Sequence, residues 1–315
     1  MLRALIALFL LAPAPPAPAP TVPAELAQIF AAPPEMRLQG VAHTAEGLFV
    51  ERGAVVFSDT NFWQQIRIAP DGSVLVQRVA QVANGRARDG DGHLWEASRL
   101  SQRLTRRGSD TDIVLDALPT PATNGKTIAD TRGGPTRLVI ARDNRVFWTD
   151  PAAYLEQSHA PPRDGASYAF RWRHPTPAND QVDRPVRREG VPRGVLGLAL
   201  SPDERLLYLS DYEEGRVLVA SADDLAAAPR LLADLSASNG RGIRALATDS
   251  EGHIYCAAAR GIIVLNPDGS WIGMLPLPEA ATDLAWDGAD RRTLWITTLT
   301  GLFRVTTWIA GASPR

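Results

Sequence analysis

Six times along this chain an apolar stretch runs into a tight turn built on Asp or Glu, then into a second short apolar strand. The copies start at Glu46 (EGLFVERGAVVFSD), Asn84 (NGRARDGDGHLWEAS), Pro135 (PTRLVIARDNRVFWTD), Leu196 (LGLALSPDERLLYLSD), Arg244 (RALATDSEGHIYCAA) and Thr282 (TDLAWDGADRRTLWITT). Self-similarity at a period of about 40 to 60 residues marks a repeat array, and four short strands per unit make propeller blades. The expected fold is therefore all-β: a six-bladed β-propeller of four-stranded antiparallel blades around a central funnel. Equivalent positions of the six units then ring one axis and are read as one site.

Within each unit the strands are short runs of Val, Leu, Ile, Phe and Trp. The pairs Asp71-Gly72, Asp91-Gly92, Asp143-Asn144, Asp203-Glu204, Glu251-Gly252 and Asp268-Gly269 are expected to be tight two-residue hairpin turns. Gly and Asn tolerate the positive φ that such turns demand. The string DGDGH at Asp89–His93 lacks the distal glutamate of a calcium loop and reads as another hairpin. Two stretches break the period. Ala117–Thr131 holds NGKT, which lacks the upstream glycine of a phosphate loop. Pro151–Glu189 is expected to lie as an insertion over one face of the ring.

Hydrophobic residues make up 45% of the 315, ample for one packed ring, and the formal net charge is −2. The basic residues are scattered, which speaks against a nucleic-acid surface. Lys126 is the only lysine, so amine chemistry has one candidate. The single cysteine, Cys256, excludes an intramolecular disulfide and a cysteine-based zinc cluster. It sits in an apolar run and reads as a buried thiol. The five histidines follow no metal-binding spacing. No G-x-S-x-G elbow is present, which disfavours serine hydrolase chemistry. Asp59, Asp150 and Asp211 each end a strand, and their recurrence points to a shared structural task.

Residues 1–24 read as a signal peptide, with Arg3, an apolar run from Ala4 to Ala12, a Pro/Ala tract and a small-residue Val22-Pro23-Ala24 triplet. The apolar run is too short for a stable membrane span. Export to the periplasm or the extracellular space is expected, with a retained anchor as the alternative. Residues 25–45 form a lead-in, in which Glu25–Phe30 is expected to be a short helix or the outer strand of the last blade. The propeller itself is assigned to 46–310.

The strings AEGLFV with FSDT, NG…DGDG, FWTDP, SPDERLLYLSD, TDSEGHIY and DLAWDGADRRTLWIT, in this order from Leu38 to Val305, resemble the gluconolactonase/regucalcin (senescence marker protein) family. The resemblance implies a divalent cation, calcium or zinc, in the funnel and opening of a sugar lactone by metal-activated water. It also implies site positions. Glu46 matches the family's ligand glutamate, and Asn84 matches a funnel-facing asparagine. Thr136, followed by Arg137, stands in place of an asparagine. Leu196 replaces a second asparagine, Arg244 the ligand aspartate and presumed base, and Arg99 a histidine.

Glu46 is thus the only retained family ligand, and no cofactor is expected. A guanidinium about 5 Å from a divalent ion would cost roughly 6–7 kcal/mol at an effective dielectric near 20. If a metal persists, it is calcium or zinc. Glu46 and Asp283 are the candidate catalytic carboxylates, Asp283 as the partner for Glu46 in acid–base work. Asn84, Arg99, Thr136, Arg137 and Arg244 are the candidate substrate-binding residues, because arginine forks suit carboxylates and phosphates. Three readings stay open: a lactone or ester hydrolase acting on a small molecule, a non-catalytic propeller binding an anionic metabolite or a protein partner, and a pure scaffold that uses the rim and the Pro151–Glu189 insertion, with Glu46 and the arginines as a satisfied salt-bridge plug.

Overall fold

The computed structural model describes residues 21–107, 113–116, 134–151, 166–171, 186–238 and 241–312. The leader up to Pro20, the 117–131 stretch, and His159, Trp172 and His174 lie outside the described residues. Six four-stranded antiparallel sheets make up the molecule. Blade 1 holds β2 (Ala45–Glu51), β3 (Ala54–Asp59), β4 (Gln64–Ile68) and β5 (Val74–Arg78). Blade 2 holds β6 (Gly85–Arg88), β7 (Leu94–Ser98), β8 (Arg103–Arg107) and β9 (Ile113–Asp116). Blade 3 holds β10 (Leu138–Ile140), β11 (Arg145–Asp150), β12 (Ala166–Arg171) and β13 (Val186–Arg188).

Blade 4 holds β14 (Val195–Leu200), β15 (Leu206–Asp211), β16 (Arg216–Ser221) and β17 (Arg230–Asp234). Blade 5 holds β18 (Ala245–Thr248), β19 (Ile254–Ala258), β20 (Gly261–Leu265) and β21 (Trp271–Pro276). Blade 6 holds β22 (Ala281–Asp287), β23 (Thr293–Thr298) and β24 (Gly301–Thr306), completed by β1 (Glu35–Gln39) from the start of the chain. The innermost strands β2, β6, β10, β14, β18 and β22 touch one another in a closed cycle, which is the six-bladed propeller expected.

Two expectations about the chain's layout are corrected. The outer strand of the last blade is Glu35–Gln39, not Glu25–Phe30, so the ring begins upstream of residue 46. Ala24–Leu26 forms a 3-10 turn, and Leu26, Ile29 and Phe30 sink into the core between blades 5 and 6. The Pro151–Glu189 stretch is not only an insertion. It supplies both outer strands of blade 3, with Trp148 stacked on Tyr168 at 5.3 Å.

The hairpins form where the turn residues stand, but five of the six have three loop residues instead of two, and the loop between Ser201 and Leu206 has four. In the first, Gly72 N–H donates to the Ala69 carbonyl (2.9 Å) and Ala69 N–H to that of Ser73 (2.9 Å). A three-residue loop needs one residue in the left-handed region. Gly72 (φ 85°), Gly92 (86°), Asn144 (65°), Glu204 (59°), Gly252 (90°) and Gly269 (88°) occupy that place in the six turns. Asp89 anchors its hairpin by accepting from the backbone N–H of Asp91 and His93 and from the Trp95 indole. Asp249 does the same with Glu251, His253 and the Tyr255 hydroxyl. Asp59 and Asp211 accept backbone N–H groups at their strand ends.

Apolar clusters fill the gaps between blades 2 and 3, 3 and 4, 4 and 5, 5 and 6, and 6 and 1. Each fully buried Leu, Ile or Phe there stabilises the ring by about 1.5–3 kcal/mol. Cys256 belongs to one such cluster, and burial pushes its thiol far up, so it is an unreactive core residue. The gap between blades 1 and 2 is polar instead. Buried Arg86 bonds Glu96 (3.1 Å), the Gly47 carbonyl (2.5 Å) and Ser58 (2.9 Å), while Arg107 donates to the other oxygen of Glu96 (2.7 Å). Among the described residues no helix is long and apolar enough to cross a membrane.

Phe30 meets Tyr255 edge to face at 6.0 Å and is 2% exposed, which pins the lead-in to the ring. Phe30→Ala is expected to cost about 3–5 kcal/mol and to lower the calorimetric melting midpoint by roughly 10 °C. An unchanged midpoint would mean the lead-in does not hold the last blade.

Candidate functional site in the funnel

The inner strands deform where they carry site residues. β2 shifts register against β3 between Glu46 and Phe49, and β22 against β23 between Ala281 and Asp283. Such bulges re-aim side chains out of the regular alternation. Gly47 makes the first one possible: its φ is 65°, and a Cβ there would lie 2.5 Å from the Ala83 carbonyl oxygen. The glycine beside Glu46 is therefore a packing requirement that also orients the carboxylate.

Glu46 and Asn84 lie side by side. The Asn84 Nδ2 donates to Glu46 Oε2 at 2.6 Å, and Asn84 Oδ1 accepts the Arg99 backbone N–H at 2.9 Å. Both residues are buried, at 2% and 0% exposure. Arg99 thus enters the cluster through its main chain. Arg244 Nη1 stands 3.9 Å from Glu46 Oε1, an ion pair too long for a hydrogen bond. Its guanidinium lies 5.1 Å from the Tyr212 ring centroid, and Nη2 is 3.4 Å from the Tyr212 hydroxyl. The Arg244 side chain remains 20% exposed. Leu196 is buried and brings only a backbone carbonyl, which accepts from Thr149 (2.7 Å).

Two sequence-based assignments change. Thr136 is fully buried, and its hydroxyl donates to the Gly134 carbonyl (3.0 Å), so it braces the backbone and offers nothing to a ligand. Asp283 does not pair with Glu46. Its partner is Arg137, which reaches across from blade 3 to blade 6 and bonds Asp283 Oδ2 through Nη1. The same guanidinium donates to the carbonyls of Asn84 (2.7 Å) and Thr282 (2.9 Å). Asp283 also accepts the N–H groups of Leu48 (2.8 Å) and Leu284 (2.9 Å), leaving no free geometry for acid–base work at the mouth.

The Arg137–Asp283 pair divides the funnel. Above it stand Glu46, Asn84 and Arg244; below it opens a cavity of about 400 Å³ lined by both members of the pair but by none of those three. Burial pushes the Asp283 carboxyl upward from its ordinary value, opposed by the Arg137 guanidinium and the two backbone N–H groups, and reinforced by Glu46.

Tyr212 was not singled out by sequence reasoning. It follows the strand-end Asp211, and its N–H bonds the Gly194 carbonyl (2.8 Å), which brings the ring to Arg244. Asp89, Asp91 and His93 also cluster closely enough to suggest a metal site. A cation already sits among them: Arg106 Nε bonds Asp89 (2.6 Å), and Nη2 lies 2.6 Å from His93 Nδ1 and 3.4 Å from Asp91. That ion-paired arginine takes the place a metal would need.

Residues 138–300, just over half of the chain, match the model of the SMP-30/Gluconolactonase/LRE-like region. The chain belongs to this family. No curated protein matches it. Among solved structures it is similar to a structural-genomics gluconolactonase candidate, at 20% identity over 93% of this chain and 99% of that one, with a TM-score of 0.73. A gluconolactonase from Xanthomonas campestris is 24% identical, over 92% and 95% of the two chains, with a TM-score of 0.71. A calcium-binding regucalcin from Agrobacterium tumefaciens is 15% identical, over 86% and 92%, with a TM-score of 0.65. At these identities the likeness shows the shared propeller fold.

Removing Arg137 would leave Asp283 buried beside Glu46 without its cation. Because burial has raised the Asp283 pKa, its ionisation takes stability away as pH rises from the unfolded value of 3.8 through the folded one. Arg137→Met raises that folded value further. The variant is expected to lose about 3–5 kcal/mol at pH 7 and clearly less near pH 4, measured by urea unfolding. A loss that does not grow with pH would contradict this pairing.

Proposed function

We propose that the funnel mouth of this propeller binds a lactone or related carboxylic ester and hydrolyses it with the Arg244 guanidinium supplying the positive charge that the family takes from its divalent ion. The observation that carries this reading is the separation of Arg244 from Glu46. The two charges lie 3.9 Å apart, with the guanidinium stacked on Tyr212 and one-fifth exposed. A closed salt-bridge plug would be collapsed to hydrogen-bond distance. Here Arg244 keeps one-fifth of its side chain open while Glu46 stays buried beside it.

The donor set does not fit a divalent cation. Such an ion wants several oxygen ligands, some of them anionic. Among the described residues Glu46 is the only carboxylate paired with Arg244 or Asn84, Asn84 turns its amide nitrogen to Glu46 and spends its oxygen on Arg99, and Leu196 offers no side-chain donor. The resident guanidinium repels any second cation.

In the metal-free reaction, Glu46 removes a proton from water as the water oxygen bonds to the carbonyl carbon. Negative charge grows on the former carbonyl oxygen, which the Arg244 fork stabilises as an oxyanion-hole donor does. Collapse breaks the ring C–O bond, and the departing alkoxide takes the proton back from Glu46. A hydroxy acid results, its carboxylate facing Arg244. A second reading, retention of an anionic ligand without turnover, draws on the same guanidinium and on the 2.6 Å bond that Asn84 makes to Glu46. Export through the 1–24 leader is part of the same proposal, since a periplasmic or extracellular protein meets such small molecules directly.

The test is a pH-stat assay of sugar lactones and simple esters with and without chelator. Turnover indifferent to chelator is expected. Glu46→Gln should lower kcat about 10²–10⁴-fold, and Arg244→Ala about 10²–10³-fold. Activity that disappears with chelator contradicts the reading. Binding of gluconate without turnover of any lactone selects the second one.

A further inference from the structure

Below the Arg137–Asp283 pair the channel encloses about 400 Å³, within the range of roughly 300–1,000 Å³ typical of small-molecule sites. Its wall runs three residues past the pair, from Asp283 to Trp286, a depth of about 10 Å at strand rise. Most of that wall is apolar, with Leu48, Leu198, Leu200 and Leu284 among its residues. The chain's tail forms part of the lower rim: Ala312 N–H donates to the Thr248 carbonyl (2.9 Å), and Arg291 Nε to that of Gly311 (3.0 Å).

Two buried polar atoms on residues of this cavity lack hydrogen-bond partners among the described residues. One is Arg137 Nε, on a side chain 6% exposed. The other is Glu204 Oε1, which has the Arg142 guanidinium 3.5 Å away but no hydrogen bond. A buried donor or acceptor left unmet costs about 1–3 kcal/mol, so each is a standing demand for a partner. The two belong to opposite ends of the cavity. Arg137 stands at the dividing pair, and Glu204 in the turn beyond β14. The charged lining comprises Arg86, Arg88, Arg137 and Arg291 against Glu204 and Asp283; Arg86 and Arg88 are already paired with Glu96 and Glu51, and the surplus positive charge is Arg291, which bonds only backbone carbonyls among the described residues.

We propose that the lower channel is a second binding site, for a short hydroxycarboxylate whose carboxylate accepts from Arg137 Nε and whose hydroxyl donates to Glu204 Oε1. The positive lining favours the anion, the Glu204 oxygen demands a donor at the far end, and the apolar wall fits the methylenes between. This inference does not rest on the reading of the mouth, because the Arg137–Asp283 bridge separates the two spaces.

The test uses 6-hydroxyhexanoate as the probe, titrated calorimetrically into the full chain. One saturable site is expected, and hexanoate, lacking the hydroxyl, should bind about 3- to 10-fold more weakly. Ala285 and Ala87 are half-buried against the cavity, and Ala285→Leu or Ala87→Leu fills it from blade 6 or from blade 2. Whichever variant keeps a wild-type circular dichroism spectrum should weaken the probe at least about tenfold. Arg244→Ala should leave its affinity unchanged. A crystal grown with the probe should show its carboxylate on Arg137. Ordered water alone in the channel, no saturable binding, undiminished affinity in the filled variants, or loss of binding in Arg244→Ala would each overturn the proposal.

Discussion

One buried guanidinium holds the axis of this ring together. Arg137 leaves blade 3 and bonds a carboxylate and a carbonyl of blade 6, the blade opposite, and on its way it takes the Asn84 carbonyl at the edge of blade 2. A buried ion pair is poor evidence for net stability, because desolvation offsets much of the Coulomb gain. Its effect here is geometric. The bridge fixes the spacing of three blades at one level and splits what would be a continuous channel into a mouth and a lower cavity. Glu46 is held by Asn84, and Asn84 is held in turn by the Arg99 N–H and the Arg137 fork, so the mouth inherits its geometry from the bridge.

The polar character of the first inter-blade gap belongs to the same arrangement. Five gaps are sealed by apolar clusters, whereas blades 1 and 2 meet through Arg86, Glu96 and Ser58, with Arg86 also gripping the Gly47 carbonyl. Burial pulls the Arg86 pKa down, and Glu96 pulls it back up. Gly47 is the residue that turns Glu46 toward the funnel. The charged layer beneath Glu46 therefore buttresses the carboxylate at the mouth, at a seam where an apolar cluster would leave the Gly47 carbonyl unmet.

Much of the ring was legible in the chain because hairpins are local. The Asp-Gly and Asp-Asn pairs stand at the turns, and the left-handed φ at Gly72 or Asn144 explains why those residues are there. The closing strand was not legible. Met36 and Leu38 do alternate with Glu35, Arg37 and Gln39, but all residues of the segment except Leu38 are exposed, and its partner lies at the other end of the chain. The outer strands of blade 3 were hidden by the long interruption between β11 and β12. At the site, Glu46, Asn84 and Arg244 could be placed by register from the turns. The Arg137–Asp283 bond could not, because it joins residues 146 positions apart whose registers carry no information about distance across the axis. Thr136 fails for a related reason: register puts it just ahead of the inner strand β10, but its hydroxyl satisfies a local carbonyl.

Direct coupling between Arg137 and Asp283 is what divides the axis. A double-mutant cycle with Arg137→Met, Asp283→Asn and the double variant, followed by chemical denaturation at neutral pH, measures it free of each residue's other contacts. A coupling energy of about 2 kcal/mol or more is predicted. A value near zero would mean that the two side chains do not meet across the axis, and that mouth and channel are one space.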